Sequence, residues 1–368
     1  MTTRRDPYID FLRALSLVVV VIWHWGFTIL QITPTSVSPN SPIGTTQGMW
    51  AVTWLLQVMP VFFFVGGYTH RLAFDQYEKG TSRKFLHKRV MRLLPPALVL
   101  IGLWVGAGFV IEATIDPAWT WSAVILVLSP LWFLIVYLLL VALAPLAIRA
   151  HWKWGELVIV WLVGLAAVFD VLRFTQAQGW AAWLNFIVIW GLAHQLGFFY
   201  DRFVAAPRRV GWMFLWGGLF ALIALTNMGF YPRSVVGVPE DRFSNMGPPT
   251  LAIVALIILQ VGIVILLKDR VTARLETDEH WRRLFAWVNE NSLPLYLMHG
   301  TGMAAAIAVI FLVFGYLPPA EASFEWWVTR PLWLVAPAVF TYPFLYLFNR
   351  LAKRRETPSS ATSELVTA

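Results

Sequence analysis

Stretches of about 18 or more apolar residues recur from one end of this chain to the other, and no other feature constrains the fold as much. A water-soluble domain has too little interior to bury so many segments of that length, whereas a bilayer offers each of them ~30 Å of hydrocarbon. With 58% of the 368 residues hydrophobic and 13% charged, the chain reads as an all-α, polytopic membrane protein. Windows of about 19 residues place helices near 10–30, 48–68, 94–114, 128–148, 156–172, 181–199, 210–228, 249–267, 290–315 and 331–349. The first run is expected to stay in the protein, because no small-residue cleavage site follows it and later runs hold the chain in the membrane regardless.

The net charge of +8 is explained by where it lies. With the N-terminus in the cytoplasm, the inside segments hold Arg4 and Arg5, seven basic residues from Arg71 to Arg92, Arg149 with Lys153, and Arg202 with Arg208 and Arg209. The same side takes five more from Lys268 to Arg283 and four from Arg350 to Arg355. That makes 23 inside against four outside (Arg173, Arg233, Arg242 and Arg330), with Arg13 left in the first helix. The asymmetry predicts that both termini are cytoplasmic, and no nucleic-acid partner is needed to account for the charge. Residues 8–350 form a single membrane domain, and 351–368 a tail that is basic and then disordered.

Other classes are disfavoured on composition. The chain has no cysteine, hence no disulfide, thiolate nucleophile or thiolate metal site. No histidines and carboxylates stand at metal-ligand spacing, so no metal is expected, and no glycine-rich phosphate loop suggests an ATP-driven pump. The segments 32–48, uncharged and rich in Pro, Ser and Thr, and 230–249, mixing Pro, Gly and both signs of charge, read as ordered or semi-ordered loops over an external opening. Most of the 21 tryptophans read as interfacial belt residues.

The first helix, FLRALSLVVVVIWHW (11–25), carries two polar residues that hydrocarbon penalises. Arg13 and His24 are eleven residues apart, three turns and roughly 20° more, so they share a face about 16 Å apart. Asp10 belongs to the same stripe and is placed to pair with Arg13. Arg13 can snorkel to the headgroups and His24 can make a plain interhelical hydrogen bond. The alternative is a polar cavity in which the imidazole acts as a general base on an attacking hydroxyl.

YIDFLRALSLVVVVIWHW, with its arginine, ten residues and histidine, resembles the opening helix of the acyltransferase family 3 membrane proteins. PVFFFVGGYTHR (60–71), KFLHKRVMRLLPP (84–96), SPLWFLIVYLLLVALAP (129–145) and NSLPLYLMHG (291–300) resemble later segments of that family, in order, across about 8–350. The resemblance implies transfer of an acyl group from cytoplasmic acyl-coenzyme A, acetyl-coenzyme A foremost, to a hydroxyl of an extracytoplasmic glycan or glycoside. The setting it implies is a bacterial inner membrane, with lipids as the surroundings. It implies His24 as the catalytic histidine and Arg13, Arg89 and Arg92 as functional arginines. Asp10, Trp132 and His299 are candidates for substrate binding or support. Two positions depart from the pattern: Gly66 stands where many members have Ser, and Tyr137 where a large branch has Glu.

In the basic segment, Lys84, Lys88 and Arg92 share a helical face with Arg89 beside them, a cationic ridge before Pro95 and Pro96. Such a ridge suits the phosphates of coenzyme A, and it equally suits topology and anionic lipid. His299 can orient an acceptor or pack, and His194 reads as packing. His70 and His87 are expected to be solvated in the cytoplasmic loop. A transporter or flippase, which also needs a polar intramembrane path, is the rival function, and a non-catalytic member of the same fold is a third.

Overall fold

The structure, a computed structural model, describes residues 6–75, 82–115, 117–228, 230–238 and 241–356. Arg4, Arg5, Lys79 and the expected disordered stretch of the tail, 357–368, lie outside the described residues. The chain begins with α1 (Pro7–Phe27), an antiparallel hairpin of β1 (Ile29–Ile32) and β2 (Val37–Asn40), α2 (Pro42–Thr45) and α3 (Trp50–Leu56). There follow α4 (Met59–Asp75), α5 (Ser82–Thr114), α6 (Thr120–Leu128), α7 (Leu131–Trp154), α8 (Leu157–Thr175) and α9 (Gly179–Gly197). The remainder is α10 (Tyr200–Ala205), α11 (Arg208–Asn227), α12 (Leu251–Thr277), α13 (Glu279–Glu290), α14 (Ser292–Phe314), α15 (Phe324–Val328) and α16 (Arg330–Glu356).

Nine stretches of the described chain are helical, long and apolar enough to cross a membrane. The tenth expected segment is α9, 19 residues long, whose Asn185, His194 and Gln195 lower its hydropathy. It still runs the depth of the bundle. Asn185 near its start donates to Asp170 in the last part of α8 (2.9 Å), and the carbonyl of Phe198 just past its end accepts from Arg71 near the end of α4 (2.9 Å).

The polar contacts sort into two ends. One end, called inner here, gathers Asp6 with Lys268 (3.6 Å), Arg71 with Asp201, Arg202 with Glu156, and Asn291 with Asn349. It holds the start of α1 and the last part of α16 together. The outer end gathers Val37 with Ser122 (2.7 Å), Val235 with Thr53 (3.1 Å) and Trp54 with the carbonyl of Arg233 (2.8 Å). Residues 230–238 and 241–249 are held there by such contacts. Asp170 accepts from the Tyr231 hydroxyl (2.9 Å) and the Leu251 amide (2.8 Å) as well as from Asn185, and Asn245 donates to the carbonyls of Pro232 and Ser234.

Several boundaries depart from the sequence expectation for physical reasons. The second span is broken into α3 and α4, and the side chain of Gln57 in the break accepts from the amide of Met59 (3.2 Å). The fourth is α7, which starts at Leu131 after Ser129 and Pro130 and is preceded by the short α6 that the window left out. The third runs through Pro95 and Pro96 rather than starting at them. At 33 residues, about 50 Å long, it outreaches the hydrocarbon, so its basic first turns project from the inner end. The amphipathic α13, EHWRRLFAWVNE, is too polar for a hydropathy window. It is capped by Asp278, which accepts from the amides of His280 and Trp281.

The core centres on α4, α9 and α12. Here α4 and α9 run parallel with their backbones touching: a Cβ at Gly67 would overlap the carbonyl of His194, and one at Gly197 the carbonyl of Phe64. Any side chain at either position would force the two helices apart.

Candidate active site

The start of α1 is fixed by its cap. Asp6 Oδ1 accepts from the amide of Tyr8 (2.9 Å), and Pro7 occupies the first helical position. Asp6 Oδ2 accepts from the Tyr200 hydroxyl (2.6 Å) and lies 3.6 Å from Lys268 Nζ, which ties α1 to α10 and α12. Burial, and after it the bond to Asp6, raises the Tyr200 phenol well above its usual range, so it stays a donor.

From that start the 3.6-residue period sends Arg13 and His24 to one face, and both meet the same partner region. Arg13 Nε donates to Asn289 Oδ1 on α13 (2.7 Å), and His24 meets His299 on α14. The expected pair of Asp10 and Arg13 is present at 3.0 Å, half-exposed, and Asn289 completes it by donating to the Asp10 carbonyl (2.8 Å). The stripe on α1 therefore faces the seam with α13 and α14.

At the outer half of this seam the two imidazoles stack, with ring centroids 5.0 Å apart. His299 Nδ1 lies 2.6 Å from the carbonyl oxygen of Tyr296. A carbonyl only accepts, so this nitrogen carries the proton, and Nε2 of the neutral ring is an acceptor. It takes the Nδ1 proton of His24 at 3.1 Å, which leaves His24 Nε2 with its lone pair. Trp25 Nε1 donates to the His299 carbonyl (3.0 Å) and locks the register of the two helices. His299 is buried, and His24 is the more exposed residue of the two.

The other expected residues lie apart from this pair. Arg89 is half-buried, with its guanidinium 5.4 Å from the centroid of the Phe85 ring, while Arg92, Lys84 and Lys88 are exposed on the inner turns of α5. The structure thus places Arg13 on α1 and the ridge on α5. Trp132, half-buried at the start of α7, packs on Phe186 with centroids 6.3 Å apart. Its helix is joined to α14 by the Tyr296 hydroxyl, which donates to the Pro130 carbonyl (2.6 Å).

The expectation for His70 is overturned. The second span extends to Asp75, which puts His70 inside it, 0% exposed. Its Nδ1 is 2.9 Å from His194 Nε2 and its Nε2 is 3.1 Å from the Tyr137 hydroxyl. His87 is exposed, as expected. A span boundary drawn seven residues too early concealed this second pair, and nothing in local sequence linked His70 to His194. The two departures from the resemblance prove to be neighbours, since a Cβ at Gly66 would lie 3.4 Å from Tyr137 Cε2. A β-carbon at 66 would meet the ring at 137 at ordinary contact distance, so the two positions touch without the glycine being required.

A family model described as an acyltransferase domain (acyltransferase family 3) matches residues 6–350, nearly the whole chain. No curated protein and no solved structure matches.

Proposed function

The chain belongs to acyltransferase family 3 and is a multi-pass membrane acyltransferase; from that premise we propose that it transfers an acyl group, acetyl foremost, from cytoplasmic acyl-coenzyme A to a hydroxyl of an extracytoplasmic glycan or glycoside. The observation that carries the proposal is the His24 and His299 pair. The Tyr296 carbonyl sets the tautomer of His299, and His299 in turn holds His24 with Nε2 free to take a proton. In the proposed step His24 Nε2 removes the acceptor's hydroxyl proton as that oxygen attacks the thioester carbonyl carbon. The carbon–sulfur bond then breaks, and the coenzyme A thiolate leaves with the proton held by His24. His299 is a positioning residue, since it acts through His24.

The donor's phosphates are assigned to the inner end, to Arg89 and Arg92 on α5 and to Arg13 on α1, because arginine grips phosphate with a two-pronged fork. Asp10 and Asn289 hold Arg13 in place. The thioester arm then runs outward along the α1 stripe. The inner end faces the cytoplasm of a bacterial inner membrane, in keeping with its basic residues.

The test is transfer of labelled acetyl from acetyl-coenzyme A by reconstituted protein to an extracted pool of envelope glycans, with mass spectrometry to find the added mass. Label on a glycan in the parent and none in His24→Ala is the expected result; equal labelling in both removes the site. Orientation is checked by thiol labelling of Thr35→Cys and Ala205→Cys, both exposed, in a background without cysteine. An impermeant reagent applied to cells with a permeabilised outer barrier should reach only position 35.

A further inference from the structure

Arg330 opens α16 at the outer end and is 8% exposed. No carboxylate lies within ion-pair distance of it among the described residues. Its Nε donates to the carbonyl of Trp326 (2.7 Å), and the guanidinium stacks 3.8 Å from the centroid of that ring. Its Nη2 is shut off from solvent and has no acceptor, and the same holds for Nε1 of Trp326 and Nε1 of Trp333. These tryptophans are 0% and 2% exposed. The nearest acidic residue in sequence, Glu325, is exposed and accepts from the Tyr316 hydroxyl (3.2 Å).

Trp326 lies in α15, and Arg330 and Trp333 lie in the first turn of α16 just past the break at Thr329. The stacking of the Arg330 guanidinium on the Trp326 ring joins the two elements, and Trp333, three residues on, neighbours Arg330 on one face of α16. Buried donors without acceptors cost free energy, a charged one most of all, and a cluster of them marks a place where an acceptor belongs. The same face continues inward as Leu334, Pro337 and Thr341. Leu334 packs against Gly26 of α1, two residues past His24, and Pro337 and Thr341 pack against Gly302 of α14, three residues past His299. The cluster therefore lies on the outward continuation of the seam that holds the histidine pair. Seven residues separate Arg330 from Pro337, roughly 10 Å of helix.

Three donors with a permanent positive charge suit an ionised oxygen group and repel a cation. We propose that Arg330, Trp326 and Trp333 form a binding site for an anionic oxygen group, a carboxylate or a phosphate, carried by the acceptor on the outer side of His24. The proposal rests on the acyl-transfer function only in making the ligand an acceptor.

Binding is measured without turnover, on the full chain in phosphatidylcholine nanodiscs, with labelled glucuronate and glycerol phosphate as soluble probes and glucose as the neutral control. Native mass spectrometry of protein from membranes containing phosphatidylglycerol tests the lipid headgroup. The expected result is saturable binding of at least one soluble anion that glucose does not displace. Trp333→Phe, which keeps a ring and deletes a donor, should weaken binding about tenfold or more, as should Arg330→Lys, and Arg330→Gln should lose it. Retention of phosphatidylglycerol without either soluble anion would reassign the site to lipid and overturn the proposal. Binding of neither anion, or binding unchanged in Trp333→Phe and Arg330→Lys, would overturn it as well and leave water as the occupant. A chain that binds the anion but transfers no acetyl would sink the acyl-transfer function and leave the anion site standing.

Discussion

Two histidine pairs lie inside one bundle, with nitrogens 3.1 Å apart in His24 and His299 and 2.9 Å apart in His70 and His194. Their surroundings separate them. His70 has one ring nitrogen on His194 and the other on Tyr137, and it is wholly buried. His24 meets its partner through Nδ1, and as a residue it is only half-buried. An imidazole with both nitrogens engaged and no access holds helices together, while one that keeps a lone pair within reach of another molecule can move a proton. Chemistry here depends on what is left unsatisfied.

The largest effect that would break this contrast comes from removing the base. His24→Gln should lower acetyl transfer by about 10²–10⁴-fold with coenzyme A binding and thermal stability retained. His70→Gln should keep the transfer rate and lose about 1–3 kcal/mol of stability, because it leaves buried groups unpaired. Transfer rates and melts on the same preparations check both, and the opposite pattern would exchange the roles. Next in size, His299→Leu removes the group that orients His24. It should lower kcat by less than His24→Gln, leave KM for acetyl-coenzyme A in place and shift the pH profile of kcat, which a packing defect alone would not do.

A smaller effect sharpens the contrast by leaving both pairs intact. Arg89→Gln and Arg92→Gln should each weaken acetyl-coenzyme A binding by about 1.5–3 kcal/mol if each contacts a phosphate. Added salt should imitate part of that loss. Direct binding titrations decide this, and affinity equal to the parent's would mark the ridge as a topology signal. The smallest change is Tyr137→Phe, expected to cost about 1 kcal/mol in melting experiments with no change in transfer.

Nine of the ten expected crossings were legible as long apolar helices among the described residues because an apolar run of this length has few alternatives, and the pairing of Asp10 with Arg13 because three residues on a helix fix neighbours. His24 and His299 could each be singled out in the sequence, but their contact spans 275 residues, and only packing brings them together. Asn289 escaped notice because it sits on α13, whose signal is amphipathic rather than apolar. The break near 57 was hidden inside an apolar window, which records composition and not continuity. Arg330 was counted only as an outer basic residue, since nothing local reveals that a charge lacks a partner.

The glycine contact between α4 and α9 also bears on how the protein is made. Most tightly packed helices here, such as α11 with α12 and α14 with α16, are near neighbours in the chain and can associate soon after leaving the ribosome. Gly67 meets its partner His194 only after well over a hundred further residues have been synthesised. At roughly 5–20 residues per second that is a wait of about 6–25 s. During that interval α4 stands in the bilayer with the groove meant for α9 open, so the order of synthesis makes α9 the keystone that closes the first half of the bundle.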